Sequence, residues 1–179
     1  MLTIIAIGIG YAIGSVSFAI LLSKLLKKPD PRTTGSGNAG ATNILRTVGK
    51  NQALAVLIGD ALKGLVAVLI GKMFGASGMG LALVAFAAVA GHVFPFLFDF
   101  KGGKGVATAI GAFLGLSLFL GILVIAAWVA TAYLTRYASL ASLVAMATAV
   151  VVSVIFINHL YFIPTLLIAG LVTWKHAEN

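Results

Sequence analysis

Residues 106–134 read VATAIGAFLGLSLFLGILVIAAWVATAYL, with no charged side chain anywhere along them. The run exceeds the roughly 20 apolar residues one membrane-crossing helix needs, yet falls short of two ideal ones. It also carries break signals near its middle, at Gly115, Ser117 and Gly121. Flanking charge decides between one span and two. Lys101 and Lys104 precede the run and Arg136 follows it. A single span would put Arg136 across the membrane from the lysines. Two short spans return it to their side, where the basic residues of cytoplasmic loops gather. The charges therefore predict two short helices.

Working outward, the whole chain has this character. Of its 179 residues, 61% are hydrophobic and only 9% charged, and the mean hydropathy is +1.13. A water-facing domain carries about a quarter charged residues, so a soluble fold is excluded. Strands alternating at period two, as in outer-membrane barrels, are absent. The prediction is an all-α integral membrane protein of about seven short transmembrane helices. They lie over about 2–26, 52–74, 79–98, the two halves of 106–134, 139–157 and 160–174. A polar loop over 27–51, a neutral turn at 75–78 and a basic Gly-rich loop at 99–105 punctuate them. With the basic loops inside, the N-terminus is expected outside and the C-terminus in the cytoplasm. The first run has no basic residue before it and Lys24, Lys27 and Lys28 after it. A cleavable leader has the opposite arrangement, so a retained first helix is expected. Residues 1–179 read as a single transmembrane domain, without the internal repeat of many transporters.

The net charge of +8 does not indicate nucleic acid. The basic residues sit in short loops beside apolar runs, where the partner they fit is a lipid bilayer with anionic headgroups. With no cysteine, disulfides, thiol nucleophiles and thiolate metal sites are excluded.

Polar groups beside membrane spans form four clusters. The first is Gly35-Ser36-Gly37-Asn38-Ala39-Gly40-Ala41-Thr42-Asn43, followed by Arg46. Small residues let backbone amides approach an anion, and Ser, Asn and Thr add donors. Arg46 can grip a phosphate with two parallel bonds. The Gly-Lys-Ser/Thr ending of a Walker loop is missing, and a merely flexible loop has the same composition. The second cluster is Gly59-Asp60-Ala61-Leu62-Lys63-Gly64. Asp60 and Lys63 share a helix face. A charge at mid-span costs about 2.5–3.5 kcal/mol, so the pair is either functional or a buried structural ion pair.

The third cluster is Gly91-His92, Pro95, and Asp99 through Lys104-Gly105. Lys104 falls where a Gly-rich turn enters the next helix, a place that favours an anion. Lys101 reads as an interfacial anchor. His92 reads as a base, a phosphate donor or a packing group. The fourth cluster is Arg136, Ser139 and Ser142 with the terminal His176 and Asn179. Its serines could equally be interhelical hydrogen bonders, and its last two residues ordinary tail. The first, third and fourth clusters are placed at one face, with Lys63 reaching towards it. Several cations among neutral donors, with little free acid, make an anion site. No His/Asp/Glu grouping has metal-ligand spacing, so neither metal nor cofactor is expected.

Ser36 to Asn43, Gly59 to Gly64 and Gly91-His92 to Lys104-Gly105 together resemble the three signature motifs of the bacterial acyl-phosphate-dependent glycerol-3-phosphate acyltransferases, the PlsY type. The motifs stand in the family's order and spacing along essentially the whole chain, and Arg136 to Ser142 and His176 to Asn179 resemble further family positions. Ala39 stands where many members have proline, and members usually continue past Asn179 with a basic, apolar tail. The resemblance implies transfer of a fatty acyl group from acyl phosphate to the 1-hydroxyl of sn-glycerol 3-phosphate. The products are lysophosphatidate and phosphate, and an acyl-phosphate synthase is the implied functional partner. It implies a multi-pass protein of the cell inner (plasma) membrane, with its site near the cytoplasmic face. Soluble-type glycerophosphate acyltransferases carry His-x4-Asp, whereas His92 and Asp99 stand further apart.

With that resemblance, Ser36, Arg46, Lys104 and His176 are expected at the reacting groups. Gly37, Asn38, Gly40, Thr42, Asn43, Lys63, His92, Gly103, Ser142 and Asn179 are expected around the substrates. Neither His92 nor His176 has a carboxylate close in sequence to orient it. The rival is a transporter or channel for phosphate or a phosphorylated solute. It accounts for Asp60 and Lys63 within a span, but it needs access from both faces. The outer side offers only Lys72, Asn158 and His159 as notable polar groups.

Overall fold

Among residues 1–177, which the computed structural model describes, every regular element is helical. The first apolar run is two helices, α1 (Leu2–Gly14) and α2 (Phe18–Leu25). At the break Ser17 is extended, and its hydroxyl accepts the Ile20 N–H at 3.5 Å. In an unbroken helix that N–H would bond the Val16 carbonyl, so the break sets this carbonyl free. The polar loop predicted over 27–51 contains a short helix, α3 (Ala41–Thr47). Then come α4 (Lys50–Met73) and α5 (Gly78–Val93), the latter followed by a single tight turn at Phe96–Phe98.

The run over 106–134 breaks at Ser117 into α6 (Val106–Leu116) and α7 (Leu118–Thr135). Ser117 is extended at φ −153°, and its hydroxyl accepts the Leu120 N–H at 3.4 Å, capping α7. Next is α8 (Ala138–Val152), which widens into a π-helical turn at Ser153–Ile157, and last is α9 (Phe162–Ala177).

Among the described residues six segments are long and apolar enough to cross a membrane, and α6 is shorter. Its 11 residues rise about 16 Å, roughly half the hydrocarbon thickness. It can lie at membrane depth because protein surrounds it. Thr108, Ala109, Gly111, Ala112, Phe113, Gly115 and Leu116 are all buried, so its inner end is enclosed by protein rather than lipid.

Small residues bring the helices together. A Cβ on Gly64 would strike the Thr108 carbonyl and one on Gly111 the Ala61 carbonyl, so α4 and α6 touch backbone to backbone. Gly14 and Gly91 do the same between α1 and α5. This is how membrane helices gain van der Waals contact without a hydrophobic drive between them. Along the middle of α4 the exposed large side chains are Leu54, Leu57, Ile58, Leu62, Val66 and Leu69, a stripe at helical spacing. Its opposite face buries Gly59, Asp60, Lys63 and Gly64. Apolar outside and polar inside is the arrangement a bilayer demands.

Candidate active site

The four polar clusters converge on one cavity of about 810 Å³. The loop before α3 and α3 itself supply Ser36, Asn38, Gly40, Thr42 and Arg46. Asp60 comes from α4, His92 from α5 and Lys104 from the turn before α6. Arg136, Ser139 and Ser142 close it from the α7–α8 junction, and His176 from α9. The other end is apolar, lined by Leu57, Ala61, Ile110, Ile125, Trp128 and Val129. Helices α4 and α7 both pack on α6 and barely meet one another. Leu57 on α4 and Val129 on α7 both line the cavity and are about half exposed. The cavity thus opens sideways between α4 and α7.

Four predicted site residues stand behind the cavity wall: Gly37, Asn43, Lys63 and Gly103. Asn43 is buried, and its amide nitrogen donates to the carbonyls of Pro31 (2.8 Å), Thr34 (3.0 Å) and Asn38 (3.0 Å). Its oxygen accepts the Ser36 N–H at 3.0 Å. One side chain thereby folds the loop and holds Ser36 at the cavity. Gly37 has φ +71°, left-handed backbone where glycine alone is unstrained. Gly103 leaves room for the His92 ring and the Ala39 carbonyl. Asn179 lies outside the described residues.

Lys63 is at the centre of a buried cluster. Its ammonium donates to the freed Val16 carbonyl, stands 2.8 Å from His92 Nδ1 and pairs with Asp60 Oδ1 at 2.9 Å. His92 therefore does have a carboxylate beside it, contrary to the expectation from sequence. Asp60 and His92 are on different helices, so sequence distance concealed the neighbour. His176 is held differently, its Nδ1 lying 2.7 Å from the Val172 carbonyl. A carbonyl only accepts, so Nδ1 carries the proton and Nε2 keeps a lone pair. Ser142 donates to the Ala138 carbonyl at 2.8 Å and receives the Trp128 indole N–H at 3.2 Å.

A second feature escaped sequence reasoning. Arg32 pairs with Asp30 at 2.8 Å, donates to the Phe98 carbonyl at 3.0 Å and lies 3.8 Å from Asp99. It clasps the loop before α3 to the turn after α5. The guanidinium's hydrogen bonds hold the Asp30 carboxyl below the ordinary aspartate value.

A profile of the family described as glycerol-3-phosphate acyltransferase matches residues 4–179. The chain belongs to that family. It is 52% identical over 179 residues to a glycerol-3-phosphate acyltransferase of Coxiella burnetii (strain RSA 493 / Nine Mile phase I), covering all of this chain and 93% of the relative. It is 46% identical over 184 residues to one from Neisseria meningitidis serogroup C, covering all of this chain and 92% of that protein. Among solved structures it resembles the glycerol 3-phosphate form of PlsY (YgiH), an integral membrane glycerol 3-phosphate acyltransferase. The TM-score is 0.92 at 36% identity, over 99% of this chain and 89% of that one. The lysophosphatidic acid form of that enzyme gives 0.90 at 35% identity, with the same coverage. The chain is thus an integral membrane acyltransferase of the PlsY type, and the transporter reading gives way.

Proposed function

We propose that the chain transfers a fatty acyl group from acyl phosphate to the 1-hydroxyl of sn-glycerol 3-phosphate. The products are 1-acylglycerol 3-phosphate and inorganic phosphate, and the step is the first acylation of phospholipid synthesis. The observation that carries this reading is the two-ended cavity. Arg46, Lys104 and Arg136 line one end, and the apolar end opens between α4 and α7. An acyl phosphate has the same polarity, a dianionic head on a hydrocarbon chain. Glycerol 3-phosphate brings a second phosphate to the cationic end.

In this reading the cations hold both phosphates and stabilise charge on the carbonyl oxygen and the leaving phosphate. Ser36, Asn38, Thr42, Ser142, His92 and His176 contact phosphate or hydroxyl oxygens. Gly37, Gly40, Asn43, Lys63 and Gly103 shape the walls behind them. The hydroxyl oxygen of glycerol 3-phosphate bonds to the acyl carbon, and the acyl–phosphate bond breaks. The hydroxyl proton ends on a phosphate oxygen. Acyl phosphate is already activated, so positioning, which can contribute about 7–11 kcal/mol, carries much of the catalysis. The site faces the cytoplasm from the inner membrane, where an acyl-phosphate synthase would deliver the donor.

The test is phosphate release from palmitoyl phosphate by purified protein, with and without glycerol 3-phosphate, beside a parallel assay with acyl-CoA. Release that needs glycerol 3-phosphate, occurs only from acyl phosphate and yields lysophosphatidate is expected. Turnover from acyl-CoA would overturn the donor assignment, and an acyl-Ser36 adduct trapped from acyl phosphate alone would overturn direct attack.

A further inference from the structure

In the buried cluster of Asp60, Lys63 and His92, Lys63 stands behind the cavity that the other two line, and the reaction above gives substrate contact only to His92. A charge at this depth is costly, so ion pairing with Asp60 does not by itself explain why a cation is present. The contacts of Lys63 go further than neutralisation. An ammonium has three protons and no lone pair, so it can only donate. Nζ stands 2.8 Å from His92 Nδ1, and this nitrogen must therefore be the acceptor. Asp60 Oδ1 is 3.6 Å from the same nitrogen, beyond hydrogen-bond range. A proton on Nδ1 would point at the cation 2.8 Å away, with only the more distant Asp60 Oδ1 left to accept it. The single proton of the neutral ring is consequently on Nε2.

That nitrogen sits over the turn before α6. A Cβ added to Gly103 would fall on His92 Nε2, and the next residue, Lys104, lines the cavity together with His92. We infer that Lys63, braced by Asp60 and by the Val16 carbonyl freed at the α1–α2 break, fixes the His92 tautomer so that Nε2–H is a donor at the Lys104 end of the cavity. Lys63 is thus a positioning residue. His92 can give a hydrogen bond to a phosphate or carbonyl oxygen, but it cannot take the hydroxyl proton. The role assigned to that donor rests on the acyl-transfer reading; the tautomer itself does not.

The experiment has two arms. Two-bond 1H–15N correlation spectra of detergent-solubilised protein labelled at histidine report the tautomer of each ring without substrate. The His92 signals are assigned by their loss in His92→Gln. His92 should appear protonated at Nε2 only and His176 at Nδ1 only; a His92 ring protonated at Nδ1, or an even mixture, would overturn the inference. In the second arm, Asp60→Asn/Lys63→Met removes both charges together. It should give a mixed His92 tautomer and lower kcat about 10²-fold, the cost of losing one preorganised donor. The same two changes made on His92→Gln should cost nothing further. A full additional loss would mean that Lys63 does not act through His92. If wild-type His92 shows the expected tautomer while no acyl transfer occurs, the functional reading falls and the tautomer assignment stands.

Discussion

Asn43 illustrates how one side chain shapes the site without lining it. Its amide serves three carbonyls and its oxygen one backbone N–H. Asn43→Ala would leave those carbonyls without their donor, at a cost of about 1–3 kcal/mol for a buried polar group. The variant should have a lower thermal midpoint in detergent and a raised KM for glycerol 3-phosphate, because Ser36 loses its anchor. An unchanged KM would confine Asn43 to folding. The Arg32 clasp makes a prediction about pH. The Asp30 carboxyl is held below its ordinary value of 3.8, chiefly by hydrogen bonds from Arg32. A depressed folded value means the clasp contributes fully above 3.8 and is lost as pH falls through the lower, folded value. Amide exchange reports it. The Arg32 N–H, bonded to Asp30 Oδ1 at 2.9 Å, should lose protection only as pH falls through that lower value, while the Thr33 N–H, bonded to the Asp30 carbonyl, keeps its own. At this scale the sequence singled out the polar residues beside the spans but not which of them face the cavity. Asn43 and Thr42 are neighbours of similar polarity, and only the turn of α3 sends one inward and the other to the cavity.

Among the elements, the junctions between helices matter more than the helices. The break at Ser117 was legible, because the run was too long for one span and its flanking charges needed an even number of crossings. The break at Val16 was not. Ser15 and Ser17 are small residues inside an apolar run of ordinary length, and what rewards the interruption is a lysine on another helix. Helix α3 was hidden for a related reason: seven residues without a hydrophobic stripe give no periodic signal. The contact of α4 with α6 is set by glycine and can be tested. Gly64→Val would drive a side chain into the Thr108 carbonyl, which cannot swing aside. The variant should lose about 1–3 kcal/mol of stability, read as a fall in thermal midpoint. Gly8→Val, at a position with no atom within 4 Å of the added Cβ, is the control and should melt like the parent.

Across the whole molecule, a row of helices is left ajar at one seam. Helix α6 forms the back of the seam and α4 and α7 its posts, with the cations at one end. Filling the seam should discriminate by chain length. Val129 is half exposed at the mouth, and Val129→Trp should raise KM for palmitoyl phosphate roughly tenfold. A short-chain acyl phosphate, which need not reach the seam, should be handled as before. A loss shared equally by both donors would place the chain elsewhere. The membrane class and the convergence of the polar clusters were legible in the sequence, since both follow from where charge sits along an apolar chain. The seam was not, because it is a missing contact between two helices and leaves no mark in either. Its consequence is kinetic. A donor that enters sideways from the bilayer is sensed as a mole fraction in two dimensions rather than as a concentration in water. Diluting the vesicles with inert lipid at constant total donor should slow the enzyme, whereas adding buffer to the same vesicles, with glycerol 3-phosphate kept saturating, should leave turnover per enzyme unchanged.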